Sequence, residues 1–498
     1  MSSLRPINDF TRTSSELLRF LGAPQAIAEV IFSGLADDSR EVESGDLFIA
    51  LPGKTQHGAT HIDTAIDRGA VIVLTDAAGA QMIGSKLPVI IVSDPAMYAG
   101  DIAAWFYQRP FLAIGAVGIT GTNGKTTTAT LIEQLWSFAS RPTGLIGTTG
   151  IWIDGEQYPA RFTTPQAITL QGIAASMAER HVKNMVMEVS SHALSQKRIG
   201  GARYLLTAFT NLTQDHLDYH GTMENYFLAK SKLFTQEYTD LALINIDDPY
   251  GQRLAHSAPV HVIRISRSNP SADWYYDRYE ALPHGRGYHV SIRGAGGILI
   301  EGRLPLLGEH NLDNAILAIA IAATTEVDPM VIAAHLDQLV APPGRLEPVV
   351  VGQKFIALVD YAHTPDAVEH ALATARTLTE GKVIAVLGCG GDRDGAKRPL
   401  MGDALIDGSD VAIFTSDNPR SEDPEKILDQ MMGAHPVSDN LIREADRRGA
   451  IAIAVTEAQA GDCIVLLGKG HEVGQEIAGV KLPFDDRIEL ARAIEELA

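Results

Sequence analysis

The run Gly118-Ile119-Thr120-Gly121-Thr122-Asn123-Gly124-Lys125-Thr126-Thr127 joins a strand-like stretch to a helical one, and its residue types suit phosphate binding. Glycines let backbone N–H groups approach phosphate oxygens, and a helix start adds positive potential at the same point. In such a loop Lys125 reaches the β- and γ-phosphates, and the Thr126 hydroxyl is a ligand for Mg²⁺. The generic phosphate loop has glycine five residues before Gly124. Here that position is Ile119, so the loop is a variant. An ordinary glycine-rich strand–helix turn is the plain alternative, but it does not account for Gly-Lys-Thr-Thr at the helix start.

Two further polar clusters follow strand-like stretches. Glu188 lies in Met187-Glu188-Val189-Ser190-Ser191-His192, and His216 in Asp215-His216-Leu217-Asp218. In an open α/β sheet the C-terminal strand ends converge on one ligand crevice, which puts Thr126, Glu188 and His216 beside the phosphate loop. A carboxylate and an imidazole there would hold the Mg²⁺ ions that neutralise charge during phosphoryl transfer. Taken singly, Glu188 suits a helix cap and His216 a satisfied core histidine. Lys230 is odder. Tyr226, Phe227, Leu233 and Phe234 stand at −4, −3, +3 and +4 from it, so helical spacing sets the lysine within an apolar stripe. Two readings follow from the residues alone. The amine snorkels to solvent, or desolvation leaves part of it neutral and able to take up CO₂ as a carbamate, an anionic metal ligand.

These side chains need strands to carry them. Strand-like runs Leu112 to Ile119, Asn184 to Val189 and Leu205 to Leu212 are each followed by polar residues and a helical pattern; the first such helix is expected from Thr126 to about Phe138. The alternation predicts a mostly parallel sheet covered by helices. Residues 1–97 carry shorter runs, Asp46 to Ala50, Val71 to Leu74 and Val89 to Val92. Pro342-Pro343-Gly344 ends a helical stretch, and Phe355 to Val359, Val383 to Leu387, Val411 to Thr415 and Cys463 to Leu467 follow it. At roughly 150 residues per domain, the 498 residues suit three α/β domains. The expected divisions are 1–97, 98–340 and 341–498.

Composition bounds the function. Lys and Arg total 41 against 61 Asp and Glu, a net charge of −20, which argues against non-specific binding of nucleic acid or anionic membranes. Only Cys389 and Cys463 occur, too few for a disulfide framework, so a reducing cytosol is expected. The best apolar run, Ala315 to Ala323, is half of the roughly 20 residues that span a bilayer. The N-terminus has no apolar signal core. A cytoplasmic protein without membrane insertion is the expectation.

Taken together, the motifs resemble the Mur ligase family, ATP-dependent amide-forming enzymes of peptidoglycan precursor synthesis. Besides the phosphate loop and Glu188-Val189-Ser190-Ser191-His192, the resemblance rests on Asn211 with Asp215-His216-Leu217-Asp218, and on Gly308-Glu309-His310-Asn311 with Asn314. Pro343-Gly344-Arg345-Leu346-Glu347 and Asp360-Tyr361-Ala362-His363-Thr364-Pro365 complete the series in the family's order. The resemblance implies an N-terminal uridine-nucleotide domain, a central ATP-binding domain and a C-terminal Rossmann-like amino-acid domain, acting as a monomer on small molecules. Gly121 to Thr127 would bind ATP together with Asn311, Arg345 and Asp360, the last on the ribose. Thr126, Glu188, His216 and Lys230 would hold Mg²⁺, the family's matching lysine being carbamylated by CO₂. Lys125, Lys230, His216 and Glu188 would form the catalytic set.

Asp37-Asp38-Ser39-Arg40 and Gly45-Asp46-Leu47-Phe48 resemble the N-terminal signature of the branch that adds diaminopimelate. By that likeness Asp37, Ser39, Lys54, Thr55 and Gln56 contact the uridine diphosphate end. Thr163, Thr164, Ser190, Gln196 and Arg198 hold the UDP-N-acetylmuramoyl-dipeptide; Phe162 stands where some relatives carry Asn. Diaminopimelate differs from lysine by a distal carboxylate, and arginine offers that group two parallel hydrogen bonds. Asp417-Asn418-Pro419-Arg420 resembles the diaminopimelate motif, with Arg393, Gly468 and Glu472 as further contacts. Asn418-Pro419 is also a plain turn signal. Folylpolyglutamate synthetase resembles the middle and C-terminal parts but has no counterpart to residues 1–97. A guanine-reading Asn-Lys-x-Asp motif, which a nucleotide switch would carry, is absent.

Overall fold

The structure, a computed structural model, describes residues 4–53, 56–282 and 287–497. Three sheets of buried, largely parallel strands carry the chain, as the alternating pattern predicts. Near the N-terminus four parallel strands run in the order Gly34–Ala36, Asp46–Ile49, Ile72–Thr75 and Val89–Ile91. The central sheet has eight strands and places Gly115–Thr120 between Asn184–Glu188 and Leu206–Phe209, parallel to both. The chain crosses from one side of Gly115–Thr120 to the other here, so the ends of these strands open a crevice. Among the described residues of this sheet only Gly150–Ile153 runs against the rest, pairing antiparallel with Thr143–Gly147 and with Glu156–Tyr158.

The C-terminal sheet follows the same logic. Its last long strand, Cys463–Leu467, inserts between Ile356–Asp360 and Val383–Cys389, with Val411–Ser416 beyond. All four are parallel, so the loops after Asp360, Cys389, Ser416 and Leu467 leave from one edge. Every residue of Val383–Cys389, Val411–Ser416 and Cys463–Leu467 is buried, which is why these strands read as continuous apolar runs. Helix starts are equally explicit. Asp94, Asp248, Asp328, Thr364 and Asp423 each cap a helix whose first residue is proline, which needs no N–H there.

Three expectations need correction. The division at 97/98 falls inside the helix Pro95–Phe106. Ala99, Ile102, Ala103 and Phe106 of that helix share a core with Leu47, Ile72 and Leu74, so this segment packs with the N-terminal sheet through Tyr107. The strand expected from Leu112 begins at Gly115, after a short turn of 3-10 helix at Pro110–Leu112. The helix expected across Met223 to Phe234 stops at Ser231 and tightens into a 3-10 turn at Lys232–Phe234.

A small antiparallel sheet, Tyr275–Ala281, Tyr288–Gly294 and Ile298–Leu304, has no forerunner in the alternating pattern. Its Ile292, Ile300 and Leu304 join the core around the helix Glu309–Thr324. That helix contains the apolar run Ala315 to Ala323, buried on nearly all sides by protein. Among the described residues no helix is long and apolar enough to cross a membrane.

One buried ion pair ties the C-terminal strand ends together. Arg447 is 0% exposed, and its guanidinium donates to both carboxylate oxygens of Asp486 at 2.7 and 2.6 Å. It also donates to the carbonyls of Ser416 and Leu467, the last residues of the two strands that flank Val383–Cys389. Removing one partner strands a buried charge, a loss of about 3–5 kcal/mol. Asp486→Ala should therefore lower the stability of the C-terminal part by about 3 kcal/mol or more in urea unfolding. A change below about 1 kcal/mol would show the pair to be energetically idle.

Candidate active site

The phosphate loop leaves strand Gly115–Thr120 and ends at Gly124, which precedes the helix Lys125–Phe138. Gly124 has φ +84°, a left-handed conformation, and a Cβ there would collide with Oδ1 of Asn314. A Cβ on Gly121 would strike Thr210. Neighbouring strand ends hold the loop in place. Asn211 Oδ1 accepts from the Asn123 amide at 2.9 Å, and Thr210 Oγ1 donates to the Asn123 carbonyl at 2.6 Å. Lys125 Nζ donates to the carbonyls of Gly121 and Thr122 at 3.0 and 2.7 Å.

Glu188 ends the strand beside the loop, and its carboxylate meets the helix start. Thr126 Oγ1 donates to Glu188 Oε2 at 3.0 Å; Thr148 donates to the same carboxylate from its amide and hydroxyl at 2.9 and 3.2 Å. Thr164 Oγ1 donates to the Glu188 carbonyl at 2.8 Å and accepts from the Ser190 amide at 3.0 Å. His216 lies elsewhere in the cleft wall, its Nε2 3.3 Å from Asp215 Oδ2. Burial pushes the His216 imidazole down to about 3. Burial opposes ionisation of Asp215, but Lys397 at 3.4 Å, the His216 and His363 rings and the His216 amide together outweigh it and hold that carboxyl well below its usual range.

Lys230 is 2% exposed, so its amine does not reach solvent. Tyr226, Phe227, Leu233 and Phe234 are all buried around it. Its Nζ donates to the Gly121 carbonyl at 2.7 Å, the oxygen that also accepts from Lys125. Burial, reinforced by the Lys125 charge, drives the Lys230 amine well below the ordinary lysine range. Among the described residues no group of three or more His, Cys, Asp or Glu is set to hold a metal alone. The donors at Thr126 and Glu188 are oxygens, which fit Mg²⁺, an ion that takes one or two carboxylates and completes its shell with water and phosphate oxygens.

Two cavities meet at this loop. One, of about 270 Å³, is lined by Asn123, Gly124 and Thr127 with Asn311, Asn314, Arg345 and Asp360. Asp360 accepts from the amides of Leu346 and Ala362 at 2.7 and 2.8 Å. The other, of about 480 Å³, runs from Thr122, Lys125, Thr126 and Glu188 past His216, Thr163, Thr164, Ser190 and Arg198. It ends at Arg393, Asp417, Asn418, Arg420, Gly468 and Glu472. Arg420 has φ +52°, and its guanidinium donates to the Gly391 carbonyl at 2.6 Å.

Some expected residues are not brought to this cleft. Pro419 and Gln196 line neither cavity, although Gln196 Oε1 orients Arg198 from 2.9 Å. Asp37 lines a separate recess of about 20 Å³ beside Arg5 and Tyr107, where burial raises its carboxyl to about 6. Ser39 is buried and Gln56 exposed, away from all three cavities; Lys54 and Thr55 lie outside the described residues. Phe162, 38% exposed, lies beneath two guanidinium groups, Arg161 at 5.5 Å and Arg198 at 4.7 Å from the ring centre. Sequence reasoning also passed over Thr148, Asp366 and Lys397. Asp366 accepts from Asn123 Nδ2 at 3.0 Å, a second bond between the central and C-terminal parts. The adjacency of Asp215 to His216 was the one available signal for the Lys397 contact.

Comparison with known proteins agrees in sequence and in fold. Three family descriptions match in order: "Mur ligase family, catalytic domain" over residues 32–107, "Mur ligase middle domain" over 119–322 and "Mur ligase, glutamate ligase domain" over 344–470. The UDP-N-acetylmuramoyl-L-alanyl-D-glutamate–2,6-diaminopimelate ligase of Streptomyces coelicolor is 44% identical, over 99% of this chain and 98% of that protein. A solved structure of an enzyme with that same name is 34% identical with a TM-score of 0.65, covering 94% of this chain and 95% of that one. Folylpolyglutamate synthase of Mycobacterium tuberculosis shares the fold over 75% of this chain and 92% of its own, at 20% identity and a TM-score of 0.61. Identity of 44% along almost the whole of both chains makes this protein a member of the Mur ligase family.

Proposed function

We propose that this chain is the ATP-dependent ligase that joins meso-2,6-diaminopimelate to the D-glutamyl carboxylate of UDP-N-acetylmuramoyl-L-alanyl-D-glutamate in peptidoglycan precursor synthesis. The observation that carries the reading is one continuous cleft. It has the phosphate loop at one end and two guanidinium groups, Arg393 and Arg420, with two carboxylates, Asp417 and Glu472, at the other. That end matches an amino acid bearing both an ammonium and a distal carboxylate. Asn311, Arg345 and Asp360 would take the nucleoside of ATP in the smaller cavity.

In this scheme the substrate carboxylate attacks the γ-phosphorus of ATP, and ADP leaves with its bridging oxygen. The acyl phosphate so formed is attacked by the amine of diaminopimelate. The tetrahedral intermediate then expels inorganic phosphate and the amide remains. Lys125 and the loop amides stabilise charge on the transferring phosphoryl group. Thr126 and Glu188 would hold Mg²⁺, with neutral His216 as a further ligand; bound there, the ion would supply charge neutralisation. Thr163, Thr164, Ser190 and Arg198 would orient the dipeptide, and Asp37, Ser39 and Gln56 would receive the uridine end.

Lys230 belongs to the same proposal as the carrier of a CO₂-derived carbamate. Two ammonium groups on the single carbonyl of Gly121 repel each other, and burial adds to the cost. A neutral Lys230 amine relieves that strain and is the form that reacts with CO₂. Lys230→Ala should lose about 100-fold or more in kcat, with partial return on adding formate or acetate. Full activity of the variant without any added carboxylate would remove the carbamate from the scheme.

The reaction itself is tested by offering UDP-N-acetylmuramoyl-L-alanyl-D-glutamate and ATP with meso-diaminopimelate or L-lysine, and weighing the products. A tripeptide with diaminopimelate alone is expected. Lysine product of equal yield would keep the ligase and discard the selecting role of Arg420. No product with either amino acid would reduce the reading to nucleotide binding.

A further inference from the structure

One buried cation in the cleft wall has no part in the scheme above. Lys469 is 0% exposed, although Gly468 before it and Glu472 after it line the large cavity. Its Nζ lies 3.3 Å from Asp417 Oδ1, 3.2 Å from Asn418 Oδ1 and 3.3 Å from Glu472 Oε2. An ammonium has three donors and no acceptor, so these three oxygens use its whole capacity. Asn418 Nδ2 turns to the same two carboxylate oxygens, Asp417 Oδ1 at 3.1 Å and Glu472 Oε2 at 2.8 Å. Each carboxylate is thus gripped by one oxygen. Asp417 Oδ2 stays outside this grip, and Glu472 Oε1 has only a long 3.5 Å contact from the Tyr361 hydroxyl.

The grip joins two loops far apart in sequence, one after strand Val411–Ser416 and one after Cys463–Leu467. Without the ammonium, two carboxylates would converge on one amide with nothing between them to cancel their repulsion. A guanidinium cannot replace it in kind, because its planar fork does not aim three donors at one convergent point.

We propose that Lys469 is a positioning residue for amino-acid selection. It locks Asp417, Asn418 and Glu472 so that the second oxygen of each carboxylate meets an ammonium group of the incoming diamino acid. The inference rests on the function proposed above, and wild-type enzyme must first form product with diaminopimelate; failure there would sink that function rather than this role.

The test compares the full-length wild type with Lys469→Met, measuring KM separately for diaminopimelate, ATP and the UDP-linked dipeptide. The expected result is a rise of about 10- to 100-fold in the diaminopimelate KM, with the other two within about twofold. An unchanged diaminopimelate KM overturns the proposal. So does a parallel rise in all three with a fall in kcat, the mark of general damage. Should Lys469→Met not be recovered folded, Lys469→Arg decides by the same split. It keeps the charge but not the three-way geometry, and a selective rise of about fivefold or more is expected from it. An equal KM for diaminopimelate in that variant overturns the proposal.

Discussion

The phosphate loop has almost no freedom, and the rest of the structure is arranged around that constraint. Gly121 and Gly124 leave no room for a side chain because Thr210 and Asn314 come from elsewhere to fill the space. Asn211 and Thr210 clasp Asn123 from the next strand end, Glu188 holds Thr126 from the strand on the other side, and Lys230 reaches the Gly121 carbonyl from a helix. Four separate segments therefore fix the loop. A loop held this firmly pays its ordering entropy at folding, so little remains to be lost when a nucleotide binds.

The same loop also joins the central and C-terminal parts. Asn123 bonds Asp366, and Asp215 meets Lys397, so both contacts lie among the residues that line the two cavities. In each pair one partner belongs to the central part and the other to a helix that follows a strand of the C-terminal sheet.

Much of this was legible in the chain, and the remainder has identifiable physical causes. The parallel sheets were readable because their strands are buried on both faces, and Cys463 to Leu467 was placed to the residue. Lys230 was suspected because four apolar residues share its helical face, and all four are buried. The antiparallel strands between Tyr275 and Leu304 went unread. Most of their residues are exposed or half-buried, so they lack the continuous apolar signal. The division at residue 97 failed for a related reason: the helix Pro95–Phe106 is apolar on most sides, and the pattern alone does not say which sheet it covers. Lys397 and Lys469 were invisible as site residues because each has a partner far along the sequence. Asp215 stands 182 positions from the first, and Asp417 stands 52 from the second.

Charge gives the last constraint. The chain carries −20, yet the substrates proposed for it are anions. The cleft differs from the whole. Its lining holds six cations, Lys125, Arg198, Arg345, Arg393, Lys397 and Arg420, against six acidic groups, Glu188, Asp215, Asp218, Asp394, Asp417 and Glu472. Local charge governs entry, since at physiological ionic strength exposed charges beyond about 8 Å are largely screened. The distribution within the cleft matters more than its neutral count. Lys125 lies at the phosphate end, where Glu188 is occupied by Thr126 and Thr148, while Arg393 and Arg420 stand together at the other end. The distal cations sit in loops after strand ends, where sequence changes without disturbing the sheet. In the proposed scheme selection of the substrate belongs to those loops, and the buried cations Arg447 and Lys469 tie the connections after Ser416 and Leu467 to each other.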